Sequence, residues 1–259
     1  MVVFMIVLVL GFIIGAILGS FINSAVWRVY TKKFSCTDRS RCVTCLEVLS
    51  WYDNIPIFSF LRLRGGCGLC QEKIPFDYLL VEIITGFLGV FLVYVNGVHV
   101  SGISPLFFRD MVIVLCLVFI FVYVAKYMEI LDRVTVLPAI LLVIVSLIFG
   151  WQSLFVMGIG AIVGGGFFLI QYMVSHGRWV GGGDIRMGVF MGVVLGWPNI
   201  LFGLLLSYVI GAIFGMWLLV HKKKQLTSSV PFGTFLAIGT MVALYYGDTV
   251  VRWYISLLV

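Results

Sequence analysis

Charge is what this chain has least of. Only 11% of its 259 residues are Asp, Glu, Lys or Arg, 62% are hydrophobic, and the mean hydropathy is +1.17. A soluble domain is about a quarter charged and about half apolar, so a soluble globule is excluded. Alternation of apolar and polar residues is missing too. The apolar runs are continuous and helix-length, which argues against a transmembrane β-barrel. The first 18 residues lack the basic n-region of a secretory signal, and no polar mature domain follows. The run from Met1 to Leu18 is therefore expected to stay in place as a first membrane helix. No low-complexity segment and no convincing internal repeat is visible.

What is present is a series of eight apolar runs: about 2–27, 78–97, 104–125, 134–151, 153–174, 185–197, 199–220 and 232–247. The sixth is the shortest. Breaks fall at Asn96-Gly97, Gly150-Trp151, Trp197-Pro198 and Pro231, residue types that interrupt helices. The expected fold is an all-α polytopic membrane protein with about eight transmembrane helices. Its one long polar stretch, 28–77, reads as a small insertion between a first helix (1–27) and the remaining membrane domain (78–259). The net charge of +6 could suggest nucleic acid, but its placement points to the membrane instead. If 28–77 is cytoplasmic and the spans alternate, every basic residue except Arg109 and Arg252 falls in a cytoplasmic loop. Both chain termini are then expected outside the cytoplasm, with lipid and not nucleic acid as the surrounding partner.

Six cysteines occur. Cys42 and Cys45 form one C-x2-C pair, Cys67 and Cys70 another. Two such pairs in a reducing compartment suit a tetrahedral four-thiolate zinc site rather than disulfides, a redox dithiol pair being the competing reading. A segment of about 50 residues has little core of its own, and a structural Zn2+ would supply the missing crosslink. Cys36 is a candidate extra ligand or a free thiol. Cys116 lies mid-span, where packing is its expected role.

With 11 acidic residues, each can be weighed. Asp38, Glu47, Asp53 and Glu72 lie in the polar loop, where solvation or turn formation is the default, and "SWYDNIP" reads as a turn in which Asp53 and Asn54 bond local backbone. Asp77 is placed to cap the second run, and Glu82 lies one turn inside it. Asp110 has Arg109 beside it, and Asp248 follows a terminal glycine. Glu129, Asp132 and Asp184 remain at the cytoplasmic ends of spans three, four and six, where acids are costly and usually functional. Asp184 stands out because Gly181, Gly182 and Gly183 precede it in "VGGGDIR". An Asp that merely caps a helix does not need three glycines, whereas bare backbone beside a carboxylate lets an extended peptide approach.

These segments resemble the type IV prepilin peptidases, membrane aspartic proteases of the GxGD type. "GSFINSAVWRVY" (19–30) is similar to the family's first-helix signature and "CVTCLEVLSWYDNIPIFSFLRLRGGCGLCQEKI" (42–74) to its zinc loop. "LLVEIITG" (79–86), "GGGDIRMG" (181–188) and "VPFGTFLAIG" (230–239) resemble its second helix, its second catalytic aspartate and a late Pro-Phe-Gly stretch. The resemblance implies cleavage of the basic leader of a prepilin or pseudopilin at the cytoplasmic face of the bacterial inner membrane. It also implies, for many members, S-adenosylmethionine-dependent methylation of the new N-terminal amine.

One departure is informative. In "VAKYMEILDRVTVLP" (124–138), "ILDRVT" resembles the run that follows the family's first catalytic aspartate. Counting back puts that aspartate at Ala125, or within one residue of it, and alanine cannot ionise. Either an aspartate has been replaced there and the chain is inactive, or the role has passed to Glu129 or Asp132. An inactive pilin-binding homologue and a membrane transporter are the competing functions. The zinc loop and the rim position of Asp184 disfavour the transporter.

Overall fold

The computed structural model describes residues 2–32, 38–98, 104–221 and 231–257. Cys36, Lys33 and the basic cluster Lys222–Lys224 lie outside them. The described chain is almost entirely helical, and the only β pairing among these residues is a pair of isolated bridges. Helices run over Val2–Thr31 (α1), Phe58–Arg62 (α2), Phe76–Val95 (α3), Pro105–Tyr127 (α4), Asp132–Phe149 (α5), Leu154–Ser175 (α6), Gly182–Leu195 (α7), Asn199–Val220 (α8) and Phe232–Ser256 (α9), with one 3-10 turn at Trp51–Asn54. All eight apolar runs form helices. Seven of these, all but α7, are long and apolar enough to cross a membrane. The chain divides into two compact units, Met1–Leu115 and Cys116–Val259.

In the first unit α1 and α3 lie antiparallel with their backbones almost touching. A Cβ on Gly15 would fall on the Thr85 carbonyl oxygen, and one on Gly89 on the Gly11 carbonyl oxygen. Such approach is open only to glycine. It also matters more in a membrane than in water, because lipid is as apolar as leucine and close van der Waals packing must supply the attraction.

The second unit repeats the device between α6 and α7. A Cβ on Gly160 would meet the Gly192 carbonyl oxygen, and Cβ atoms on Gly164 and Gly188 would each meet the other's carbonyl oxygen. This seam fixes the register of α7, whose 14 residues span about 21 Å at 1.5 Å per residue. At its C-terminal end α7 is level with the start of α6, since Trp197 N–H donates to Val156 O at 3.1 Å and Gln152 Nε2 to Leu195 O at 3.4 Å. One further four-residue step along the seam sets Asp184 opposite Phe168, while α6 continues to Ser175. The helix is therefore short at its glycine-rich end, and its first turn begins about two turns inside the end of α6. The pair α8 and α9 closes in the same way, with Gly239 against the Ser207 hydroxyl and Asn199 Nδ2 donating to Asp248 Oδ1 at 2.7 Å.

The seam can be tested within one helix. A Cβ on Gly164 has no room, while one on Gly166 meets nothing within 4 Å. Gly164→Ala is expected to cost about 1–3 kcal/mol by overpacking, and Gly166→Ala to be neutral or to stabilise by up to about 1 kcal/mol through helix propensity. Of the two variants in the same detergent, only Gly164→Ala should unfold at a lower temperature than the parent; equal shifts would show that the seam does not hold α6 to α7.

Candidate active site and metal centre

The polar loop of the first unit is built from two copies of one small turn. After Cys42-x2-Cys45, Leu46 takes a left-handed conformation (φ 60°), and Cys42 N–H donates to Glu47 O at 3.0 Å. After Cys67-x2-Cys70, Gln71 does the same (φ 61°), and Cys67 N–H donates to Glu72 O at 2.8 Å. Isolated bridges Arg41–Val48 and Gly66–Lys73 close the two turns identically. The internal repeat not seen in the sequence is thus present at the scale of a knuckle, carried by C-x2-C-x-E.

The turns face each other, so that all four Sγ atoms lie within 4.8 Å of one another, with Cys42 and Cys70 at 3.8 Å. Metal–sulfur bonds of about 2.3 Å in a tetrahedron require sulfurs about 3.8 Å apart, so the donor set fits a zinc-sized ion. The charges agree. Burial opposes ionisation of Cys42, but the backbone N–H groups of Cys45 and Thr44 and the thiols of Cys45 and Cys67 outweigh it and hold that thiol at about 7. Cys70 gains from backbone at Glu72, yet desolvation and the three neighbouring thiols push it up to about 12. A dication at the centre of the four sulfurs would favour their thiolate forms.

Two acids hold this loop in place, and neither does so by a plain solvated role. Asp53 is ion-paired with Arg62 rather than bonding only local backbone. Glu82, only 8% exposed, accepts the Ile57 N–H at 2.8 Å through Oε2 and fastens the loop to α3. Asp110 pairs with Arg109 at 2.8 Å and also accepts from Asn96.

The second unit carries the carboxylate site. Three helix ends converge: the C-terminus of α4 with the linker that follows it, the recessed N-terminus of α7, and the N-terminus of α9. Between them lies a cavity of about 430 Å³, lined among others by Val124, Glu129, Trp179, Asp184, Arg186 and Phe232. Asp184 is the third residue of α7, and its Oδ2 accepts the Gly181 N–H at 2.9 Å. Asp184 therefore caps from the third helical position, with Gly181 rather than Asp184 at the N-cap, and the carboxylate also faces the cavity.

The three glycines are not equivalent. Gly181 supplies the capped N–H. Gly182 has nothing within 4 Å of a Cβ, whereas a Cβ on Gly183 would stand 2.9 Å from Ile130 Cβ. Ile130 also presses on Gly233, 3.0 Å from its would-be Cβ, so one side chain wedges between the starts of α7 and α9. Gly183 nevertheless lines the cavity, with Ile130 against the side its Cβ would occupy. Open backbone remains at Gly182.

Among the candidate first acids, the structure brings Glu129 into the same cavity as Asp184. Asp132 lies instead in an exposed ion pair with Arg186. Ala125 is exposed and does not line the cavity, while its neighbour Val124, 3% exposed, does. Val124 falls within the one-residue margin of the sequence count. Trp179 was missed in the sequence, and the meeting of Ile130 with the Pro231–Gly233 stretch is revealed only by the convergence of helix ends distant in the chain.

Comparison with known proteins adds the following. The family model described as Bacterial Peptidase A24 N-terminal domain matches residues 13–96, and that described as Type IV leader peptidase family matches residues 111–216. The prepilin leader peptidase/N-methyltransferase of Aeromonas salmonicida (strain A449) is 31% identical over 226 residues, covering 84% of this chain and 75% of the relative. The protein of the same description from Bacillus subtilis (strain 168) is 31% identical over 219 residues, covering 85% of this chain and 86% of the relative. No solved structure matches.

Metal analysis of the purified protein is expected to give one zinc per chain. Cys42→Ser should lower that content and destabilise the loop, with protease nicking within 38–75 as the readout, while Cys116→Ser leaves both unchanged. A metal-free parent with a protease-resistant loop would overturn the assignment.

Proposed function

The chain belongs to the type IV leader peptidase family, and from that premise we propose that it cleaves the leader of a prepilin or pseudopilin with Asp184 and Glu129 as its two carboxylates. The observation that carries this reading is their presence in one cavity, with Asp132 engaged by Arg186. Hydrolysis by a carboxylate pair needs one proton held between the two acids. The ionised one takes a proton from a water whose oxygen attacks the scissile carbonyl carbon. The protonated one polarises that carbonyl and afterwards supplies the proton that the departing amine needs. The Gly182 backbone is the open surface against which the substrate strand would lie, and the exposed Trp179 is its apolar wall.

The active site and cysteine loop are read as facing the cytoplasm of a bacterial inner membrane, supported by the distribution of basic residues. Cys42, Cys45, Cys67 and Cys70 would hold Zn2+, whose charge ties the two turns together and takes no part in hydrolysis. The relatives' double description supports a second activity, in which S-adenosylmethionine when bound supplies a methyl group to the new N-terminal amine, the nitrogen–carbon bond forming as the carbon–sulfur bond breaks and the amine loses a proton. A second reading, an inactive prepilin-binding homologue, is favoured by the absence of a carboxylate at both Val124 and Ala125.

A prepilin mobility shift separates them. Under the first reading Asp184→Asn and Glu129→Gln each lower cleavage by about 100-fold or more, since the acids act as a unit, and Asp132→Asn has little effect. If the parent is inactive and Val124→Asp or Ala125→Asp restores cleavage, the second reading holds. Retained cleavage in Glu129→Gln together with loss in Asp184→Asn would remove Glu129 from the site.

A further inference from the structure

The stretch between the two cysteine turns lies deeper than its place in a polar loop suggests. Two contacts tie it to the start of α3. The Ile57 N–H, just ahead of α2, donates to Glu82 at 2.8 Å, and the ring of Phe60 on α2 lies 6.3 Å from that of Phe76, the first residue of α3. The 20 residues of α3 span about 30 Å, which the hydrocarbon core of a bilayer, about 30 Å thick, takes up entirely. Phe76 must then stand at the boundary, with Glu82 about 9 Å further in at 1.5 Å per residue. The partner helix marks the same level. Asn23 of α1 donates to Tyr78 O at 3.0 Å, and α1 runs on past it to Thr31 through Trp27 and Tyr30, aromatic types that collect at the membrane–water interface. A helix held beside Phe76 and Glu82 is therefore level with the headgroups and upper acyl chains.

At that level the stretch turns apolar side chains outward. Phe58 and Leu61, three residues apart on α2, share one face. The 3-10 turn packs alongside, with the Arg62 guanidinium carbon 4.8 Å from the Tyr52 ring centroid and Trp51 edge-on to Tyr52 at 5.7 Å. Trp51, Phe58, Leu61 and Phe76 are 78%, 57%, 64% and 67% exposed. A patch of this kind is a liability in water and marks a binding surface. Phe76 also heads the exposed apolar stripe of α3 that continues through Leu80, Ile84 and Phe87, so the patch is continuous with a surface that faces lipid. Charge contributes little. Residues 38–75 hold five basic and four acidic side chains, and Asp53 and Arg62 neutralise each other. We propose that the segment between the two cysteine turns is an interfacial anchor, with Trp51, Phe58 and Leu61 set into the lipid leaflet in which α3 begins. The partner is the bilayer surface itself, bound through apolar burial and not through headgroup charge. The cysteine turns close the two ends of this segment and lipid covers its middle.

The test is photocrosslinking in the full chain, reconstituted in vesicles of phosphatidylcholine alone. Phe58→benzoylphenylalanine keeps an aromatic ring at the position and adds a group that bonds to the nearest C–H on irradiation. Mass spectrometry of the peptide carrying residue 58 should show a lipid adduct, in a yield close to that of the same probe at Phe87 in mid-span. High salt should leave the yield unchanged, since screening acts on charge and not on apolar burial. The probe at Phe60, which packs on Phe76, should instead give an adduct within the chain. The probe at Leu61 repeats the test if the Phe58 variant does not accumulate. No lipid adduct at either position, or an adduct with added prepilin in its place, would overturn the anchor. An adduct that is lost in high salt, or that forms only when anionic lipid is included, would overturn the apolar basis of the seat. None of these readouts depends on leader cleavage, so the peptidase reading stands or falls separately.

Discussion

In hydrocarbon an apolar side chain gains nothing by leaving lipid for another helix, so the helices of this protein depend on how closely their backbones can approach. The glycines at 11, 15 and 89, and again at 160, 164, 188 and 192, permit that approach. The second seam does more than hold a pair together. Interlocking carbonyls and bare Cα atoms allow only one register, and that register sets the first turn of α7 below the end of its neighbour. A carboxylate on that turn is sunk into the protein without being buried in lipid, which is where an acid can be retained and used.

The helices were legible because a membrane span must be long and apolar. Seven of the eight runs correspond to helices that meet this requirement, and the short sixth run is α7. Their ends were less legible. Hydropathy marks where the membrane stops, not where hydrogen bonding does, and α9 continues from Phe232 to Ser256, well past the apolar limit near 247. The helix carries Asp248 and Arg252 beyond that limit without breaking, since polar residues outside the bilayer do not oppose a helix.

Parts of the site differ in the same way. The cysteine centre depends on local spacing, and the two C-x2-C pairs announce it. Asp184 was legible from its isolated position. The close approach of Ile130 to Gly183 was not, because Ile130 is more than fifty positions away in the chain and no local pattern reports such a contact. The first-acid position shows the limit most clearly. Counting along a helix identifies Ala125 to within one residue, and a single step there is a rotation of about 100°, enough to exchange a cavity-facing Val124 for an exposed alanine. Glu82 was hidden for a similar reason: a glutamate near a helix end looks solvated until the loop that covers it is in place.

That Glu82 fastens the loop to α3 has a bearing on the order of synthesis. Both cysteine turns leave the ribosome before Glu82 does. Everything needed to capture the ion is therefore local and available early, whereas the bond that docks the loop waits for the next helix to be made and inserted. An ion taken up by the four cysteines would be bound before the following membrane segment supplies Glu82. The polar insertion need not hold itself together and find its seat in the same event.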